Sequence, residues 1–153
     1  MTVSFPSSFN KSDVNFASID LDDEYVTEPW LIEQFVGNTL LACGYNPQGQ
    51  IGNGSVFVNY SSPTQVGNIS NWRQISTSIS TSFGIRADNT LWSWGANNVG
   101  QLGIGNIVYY SSPVQVGSLN NWKQVSAGQT HTAAIKTDGT LWVWGQNNFG
   151  QLG

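Results

Sequence analysis

Histidine, cysteine and clustered carboxylates carry much of enzyme chemistry, and this chain uses them sparingly. His131 is the sole imidazole and Cys43 the sole thiol in 153 residues. Neither has a second His or Cys with which to build a transition-metal site, which takes about four ligands. His131, in SAGQTHTAAIKTDG, reads as a structural residue at a loop–strand junction. Cys43, in LLACGYN, reads as a buried and unreactive thiol. Asp20, Asp22, Asp23 and Glu24 cluster as calcium ligands do, but they lack the EF-hand spacing and place Tyr25 where its glycine belongs. A solvated charge run is the simpler account. Asp88 and Asp138 stand 50 positions apart as turn residues and make no acid–base pair. No nucleophile is paired with a base. The expectation is a protein without catalytic, cofactor or metal sites, and not an enzyme.

Composition narrows the classes further. Only 9% of residues are charged, while 12% are aromatic, with seven tryptophans. Disordered chains show the opposite balance. No apolar run reaches the roughly 18 residues of a spanning helix, so membrane insertion is not expected. MTVSFPSSFNK lacks the basic start and apolar stretch of a secretory signal. The charge is uneven: residues 1–37 carry −6 by count, with Lys11 the only cation, and residues 38–153 carry +2. Arg73, Arg86, Lys123 and Lys136 are too scattered to make a phosphate-binding face, which argues against nucleic acid.

The elements that position these residues come from an internal repeat. TLWSWGANNVGQLG (90–103) returns as TLWVWGQNNFGQLG (140–153), an offset of 50. YSSPTQVGNISNWRQIS (60–76) returns at the same offset as YSSPVQVGSLNNWKQVS (110–126). A weaker copy, NTLLACGYNPQGQIG, fills 38–52 with Leu41 and Cys43 in place of the tryptophan pair. Each period holds four strand-like runs: NWKQVSAG, THTAAIKT, TLWVWG and SPVQVG. The Asp138-Gly139 step between two alternating runs predicts a type I′ hairpin, with Asp88-Asn89 as its counterpart. Leu141 and Val143 fall on one face of a strand and Trp142 and Trp144 on the other. Both faces are apolar, as in a sheet held between two others. The Trp92/Trp94 and Trp142/Trp144 pairs are expected between such sheets. Four antiparallel strands per unit, radially stacked, describe propeller blades and an all-β fold.

WGANNVGQLG, WGQNNFGQLG and VSAGQTHTAAIKTDGTLWVWG resemble the repeats of the RCC1 (regulator of chromosome condensation) type. The resemblance covers residues 38–153 and implies blades of a seven-bladed propeller. The Gly-Gly doublet of kelch repeats and the Trp-Asp signature of WD40 units are absent. By this count the chain holds strands three and four of one blade (38–44, 63–67), one whole blade (71–117) and three strands of another (122–145). Seven blades of about 50 residues need roughly 350 residues, so the chain is expected to be a segment of a longer ring. In such a ring the C-terminus would return strands one and two to the N-terminal half-blade. Closure between copies of the short chain fits badly on this count, because the third strand would be supplied twice.

Two segments follow, an arm over residues 1–37 and the repeats over 38–153. The arm is Ser/Asn-rich with spaced Phe5, Phe9 and Phe16. Within DLDDEYVTEPWLIEQFVG, Thr27 suits a helix cap, Pro29 its first turn and Gly37 its end. A short helix is expected there, with Trp30, Leu31 and Phe35 as its apolar stripe. Phe5, Phe9, Phe16, Tyr25, Trp30, Leu31 and Phe35 are the candidate anchors, either on neighbouring subunits or on the first half-blade. Deleting residues 1–37 is expected to leave the repeats able to fold.

The acidic lead DLDD-x-YVTE-x-W-L-I-x-Q-F-V-G running into such repeats also resembles virion proteins of tailed phages, including those of cyanobacteria. That resemblance implies a virion structural protein: an appendage, neck or tail fibre, or a capsid decoration. Its N-terminus would be the anchor, and its partners would be capsid, neck or tail proteins, copies of itself and a host surface. The alternative is a cellular RCC1-like interaction module, resembling a GTPase exchange factor or an enzyme inhibitor. The fold does not choose between these, since propellers host unrelated functions.

Overall fold

The computed structural model describes residues 39–153 in full, together with the backbone of residues 14–15 and 30–36. Eleven strands are formed in this part of the chain, and no helix. Strands β1 (Val14–Asn15), β2 (Trp30–Val36), β3 (Thr39–Gly44) and β4 (Tyr60–Ser70) make the first sheet, in that order. Strands β5 (Trp72–Thr77), β6 (Thr81–Arg86), β7 (Leu91–Gly95) and β8 (Tyr110–Gln115) make the second. The third holds β9 (Trp122–Ala127), β10 (His131–Lys136) and β11 (Leu141–Gly145). Neighbours in sequence pair antiparallel throughout, which needs only short connections. Pro63 and Pro113 both fall in the last strand of a sheet, where a missing N–H costs no ladder bond.

The second and third sheets have the expected bounds, but the first does not. Residues 30–36, expected in a helix, form β2 and pair with β3 through Trp30↔Cys43, Leu31↔Ala42 and Ile32↔Leu41. A helix of two turns is marginal by itself. It would also leave the N–H and C=O groups on one side of β3 unpaired. Pairing satisfies them, and the aromatic and branched residues of WLIEQFV suit a strand. The expected half-blade is thus a four-stranded sheet, its first two places held by β1 and β2. Deleting residues 1–37 would remove both strands from that sheet.

The hairpin turns also differ in detail. Gly139 and Asn89 have positive φ (84° and 62°), but Asp138 and Asp88 do not. Gly139 N–H bonds the Lys136 carbonyl and Asn89 N–H the Arg86 carbonyl. The loop is therefore longer than a two-residue type I′ turn, with a single left-handed residue before the returning strand. The aspartates act from the side. Each accepts both the N–H and the hydroxyl of the threonine two residues on, Asp88 from Thr90 (3.0 and 2.6 Å) and Asp138 from Thr140 (3.0 and 2.7 Å).

Two apolar cores lie between the sheets. Leu40, Ala42, Ile51 and Val66 of the first meet Trp72 and Trp94 of the second. Phe83, Ile85 and Leu91 of the second meet Trp122, Val125 and Ala134 of the third. Strand β6 is consequently buried on both faces over Thr81–Ile85, as a central sheet requires.

Candidate interaction surface

The repeated sequence NNxGQLG builds one loop several times. Asn46 Oδ1 accepts Ile51 N–H, Asn97 Oδ1 accepts Leu102 N–H, and Asn147 Oδ1 accepts Leu152 N–H, at 2.9–3.0 Å. The Asn46 amide donates to the Ser55 carbonyl and the Asn97 amide to that of Asn106. Gln50, Gln101 and Gln151 each accept the N–H two residues back through Oε1. Asn46, Asn97, Gln50 and Gln101 are buried. They hold the loop by replacing backbone partners that no strand offers there. The sequence reading singled out only the glycines of this motif. Recurrence of the amides at every period was the signal available.

The same loops receive the tryptophans. The Gln50 carbonyl accepts the Trp94 indole N–H (2.9 Å) and the Ser82 hydroxyl. The Gln101 carbonyl accepts the Trp144 indole (2.9 Å) and the Thr132 hydroxyl. A Cβ at Gly52 would lie 2.6 Å from Trp94 Nε1, and one at Gly103 2.6 Å from Trp144 Nε1. Trp94 and Trp144 are therefore packed between sheets, as expected. Trp92 is partly buried and packs against the core between the first two sheets, also as expected, and Trp92 and Trp142 each donate to the threonine of their own turn, Thr90 or Thr140. Trp142 is about half exposed.

The residues first considered for chemistry take the following places. His131 opens β10, and its ring lies where a Cβ on Gly128 would be, 2.6 Å away. Cys43 lies on β3, and burial pushes its thiol pKa up, away from the reactive thiolate. Thr90 hydrogen bonds hold the Asp88 carboxyl below its ordinary range, and Thr140 does the same for Asp138. Lys136 was not singled out by its sequence. It is only 6% exposed, and its Nζ lies 3.7 Å from the Trp142 ring centre and 5.2 Å from that of Trp122. The two rings replace part of the solvation that burial removes from the ammonium. Among the described residues, no group of three His, Cys, Asp or Glu is placed to hold a metal ion. Among them too, no helix is long and apolar enough to cross a membrane.

Of the candidate anchors, Phe5, Phe9, Phe16 and Tyr25 lie outside the described residues, as does the Asp20–Glu24 run. Trp30, Leu31 and Phe35 fall on β2. What the structure adds is a set of apolar loop tips. Val56, Phe57 and Val58 are exposed before β4, and Ile107, Val108 and Tyr109 before β8. Gly54 N–H bonds the Ser111 carbonyl (2.7 Å), which ties one loop to the base of the next. Phe57 is 82% exposed and has φ of 61°. Few bulky residues adopt that region. The reason is a one-residue difference between the loops: Ser55 and Tyr60 bond across five positions, whereas Asn106 and Tyr110 bond across four. Phe57 takes up the extra residue, and its N–H bonds the Asn46 carbonyl. Phe149, 91% exposed, adds a third apolar tip after β11. Exposed apolar side chains grouped on loops that a rigid sheet presents are the usual form of a protein-contact surface.

Stacked antiparallel sheets of this blade type, two of them with a Trp pair on β7 or β11, define a class, the repeat propellers. Within it, residues 88–135 match the Regulator of chromosome condensation (RCC1) repeat, and residues 72–101 and 122–151 match a second description of that repeat. Residues 72–151 are thus RCC1 repeats. No curated protein matches the chain by sequence. Among solved structures, human WBSCR16 is similar with a TM-score of 0.67 at 23% identity, over 77% of this chain and 31% of that one. Yeast RCC1 (Prp20), in its complex with Kap60, gives 0.70 at 22% identity, over 78% and 30%. Prp20p from Saccharomyces cerevisiae, in a structure described with its binding to Gsp1p and histones, gives 0.70 at 22% identity, over 82% and 32%. The chain spans just under a third of these proteins' length. At such identities the likeness establishes the RCC1-type propeller fold.

Proposed function

We propose that this RCC1-type array is a protein-contact module that works by binding rather than by turnover, and that it is a structural component of a tailed-phage virion. The apolar loop tips on a rigid repeat carry the contact reading, because such tips give an exposed surface without a catalytic constellation. The virion reading rests on the likeness of DLDDEYVTEPWLIEQFVG, leading into the repeats, to such proteins. In this reading Phe5, Phe9 and Phe16 anchor the chain on capsid, neck or tail proteins, and the loop tips face a host surface or further virion subunits. A few buried aromatic anchors supply most of an interface's energy. Carboxylates in the first 37 residues steer the docking of a basic partner.

The test replaces Phe5, Phe9 and Phe16 by Ser, leaves β2 intact, and quantifies the protein in purified particles. The variant should fold and be lost from them. Retention at normal copy number would overturn the anchor. The second reading, a cellular RCC1-like module, draws on the fold shared with a protein solved with Kap60 and described as binding Gsp1p and histones. It would be favoured if the wild-type protein never copurified with particles.

A further inference from the structure

The six charged residues of positions 38–153 all fall at one end of the sheets. Arg73 and Lys123 stand at the start of β5 and β9, Arg86 and Lys136 close β6 and β10, and Asp88 and Asp138 sit in the turns that follow. Antiparallel pairing brings these positions to the same end, where Arg86 and Asp88 form an ion pair (3.3 Å). The opposite end carries the β5–β6 turn and two loops, residues 45–59 between β3 and β4 and residues 96–109 between β7 and β8. That turn and those loops contain no Asp, Glu, Lys or Arg.

The uncharged end is one continuous surface. Gly54 N–H bonds the Ser111 carbonyl (2.7 Å), and Gln50 Nε2 bonds the Ile79 carbonyl (3.4 Å). The first loop therefore leans on both the β5–β6 turn and the exit of the second loop. Tyr45, Phe57 and Tyr109 are its exposed aromatic side chains. Beside them Asn59, Ser61, Ser62 and Ser112 are exposed as well. Asn59 Oδ1 accepts Asn46 N–H (3.0 Å), which leaves its NH₂ group to donate. The exposure belongs to the loops themselves. The first loop stands beside the four-stranded second sheet, and the second loop between the first sheet and the third.

Composition and charge together select the ligand. Tyr, Asn, Ser and Gly are the residues of adaptable binding loops, where rigid aromatic area lies beside short polar groups. A protein partner brings charges of its own, and protein contacts are enriched in Arg. Neither loop has a charge to answer them. An anionic polymer needs cations close by, and the four of residues 38–153 are at the far end. A neutral sugar makes neither demand. Its C–H face stacks on an aromatic ring, whose own face is electron-rich. Its hydroxyls donate and accept, as amide and hydroxyl side chains do.

We propose that the uncharged end of the repeats binds a neutral glycan. Tyr45, Phe57 and Tyr109 are its stacking platforms, and Asn59, Ser61 and Ser62 bond its hydroxyls. This rests on the reading of the loop tips as the contact surface, and it gives the host-surface ligand a chemical class.

The test applies the whole chain to printed neutral oligosaccharides of glucose, mannose, galactose and N-acetylhexosamine, each beside its sulfated counterpart, and to phosphatidylcholine vesicles. Binding to at least one neutral sugar is expected, and the tightest is then titrated by calorimetry. Phe57→Ser and Tyr109→Ser should each weaken it about tenfold or more, as loss of an aromatic contact does. Lys123→Ser, at the charged end, should not. Affinity should hold within about twofold between about 50 and 500 mM salt, because no screened charge takes part. Near-ultraviolet circular dichroism checks that each variant folds, and Asn59→Ala is a further variant of the binding surface. Binding to no neutral sugar overturns the inference. So does preference for the sulfated sugars or for the vesicles, or neutral-sugar binding that both aromatic variants leave intact. If Phe57→Ser loses a protein partner while no sugar binds, the tips are a protein contact and the glycan inference falls alone. Absence of the protein from particles would remove the virion reading and leave sugar binding standing.

Discussion

The indole of Trp94 rests on Gly52, and that pairing ties a strand to the loop of the preceding blade. Gly52→Ala meets both a positive φ (80°) and an atom 2.6 Å away, so it should destabilise by about 2–3 kcal/mol. Gly100→Ala, with positive φ but open space around it, should cost about 1 kcal/mol. Urea denaturation of the two variants separates space from backbone strain. Trp94→Ala should cost about 3–5 kcal/mol, as loss of a buried large aromatic does. Asp88 and Asp138 have carboxyls depressed by their threonine contacts. Their contribution is present above the ordinary carboxylate pKa and is lost as pH falls through the lower folded value. Denaturation midpoints should drop in acid, and the drop should be smaller in Asp138→Ala. Both groups are exposed, so the effect is small. The tryptophans and glycines were legible in the sequence because their types and period name a strand and a tight loop. The amides of Asn46 and Gln50 were legible only through their recurrence, since nothing local says which backbone group a buried amide will meet.

At the scale of the strand, period and alternation were enough to place β5 to β11. They failed at β2, where capping residues around a two-turn segment were outweighed by the pairing that β3 required. Local propensity is weak in so short a run, and the partner strand decides. The turn type was misread for a related reason: Asp-Gly marks a hairpin, but loop length depends on which residues the ladder takes up. Strand β11 forms one edge of the third sheet, whereas its counterpart β7 is flanked by β6 and β8. A peptide of residues 110–117 added in excess should pair along β11 as β8 does along β7. Hydrogen exchange would then show new protection within Leu141–Gly145 and none within Leu91–Gly95. Equal protection at both, or at neither, would count against a β11 edge that accepts an added strand.

For the molecule as a whole, the repeat fixed the architecture and left the surface open. The blades follow from a period of about 50 and from apolar residues on both strand faces, which only stacked sheets can bury. The loop tips could not be read in this way. Val56, Phe57, Ile107 and Val108 look like core residues by type, and only the clipped fold of their loops turns them outward. Replacing Phe57 and Ile107 together by Ser should leave the unfolding midpoint within about 0.5 kcal/mol of the wild type, as exposed sites do. It should weaken capture of a contact partner by pull-down from a particle lysate. Equal capture by both proteins would move the contact surface elsewhere on the blades.

Phe57 has a meaning at the level of the gene. It is one codon more than the neighbouring unit holds between the loop amide's carbonyl partner and the tyrosine of the next strand. The chain absorbs it as a left-handed residue at the rim, without disturbing the amide bonds on either side. Within a strand the same insertion would turn every later side chain to the wrong face. A triplet gained or lost at the outward bend of a unit thus leaves the strands on either side in register. Exchange between misaligned units conserves their junctions only in steps of a whole period. An array built this way can lengthen by whole blades and vary its outer surface one residue at a time.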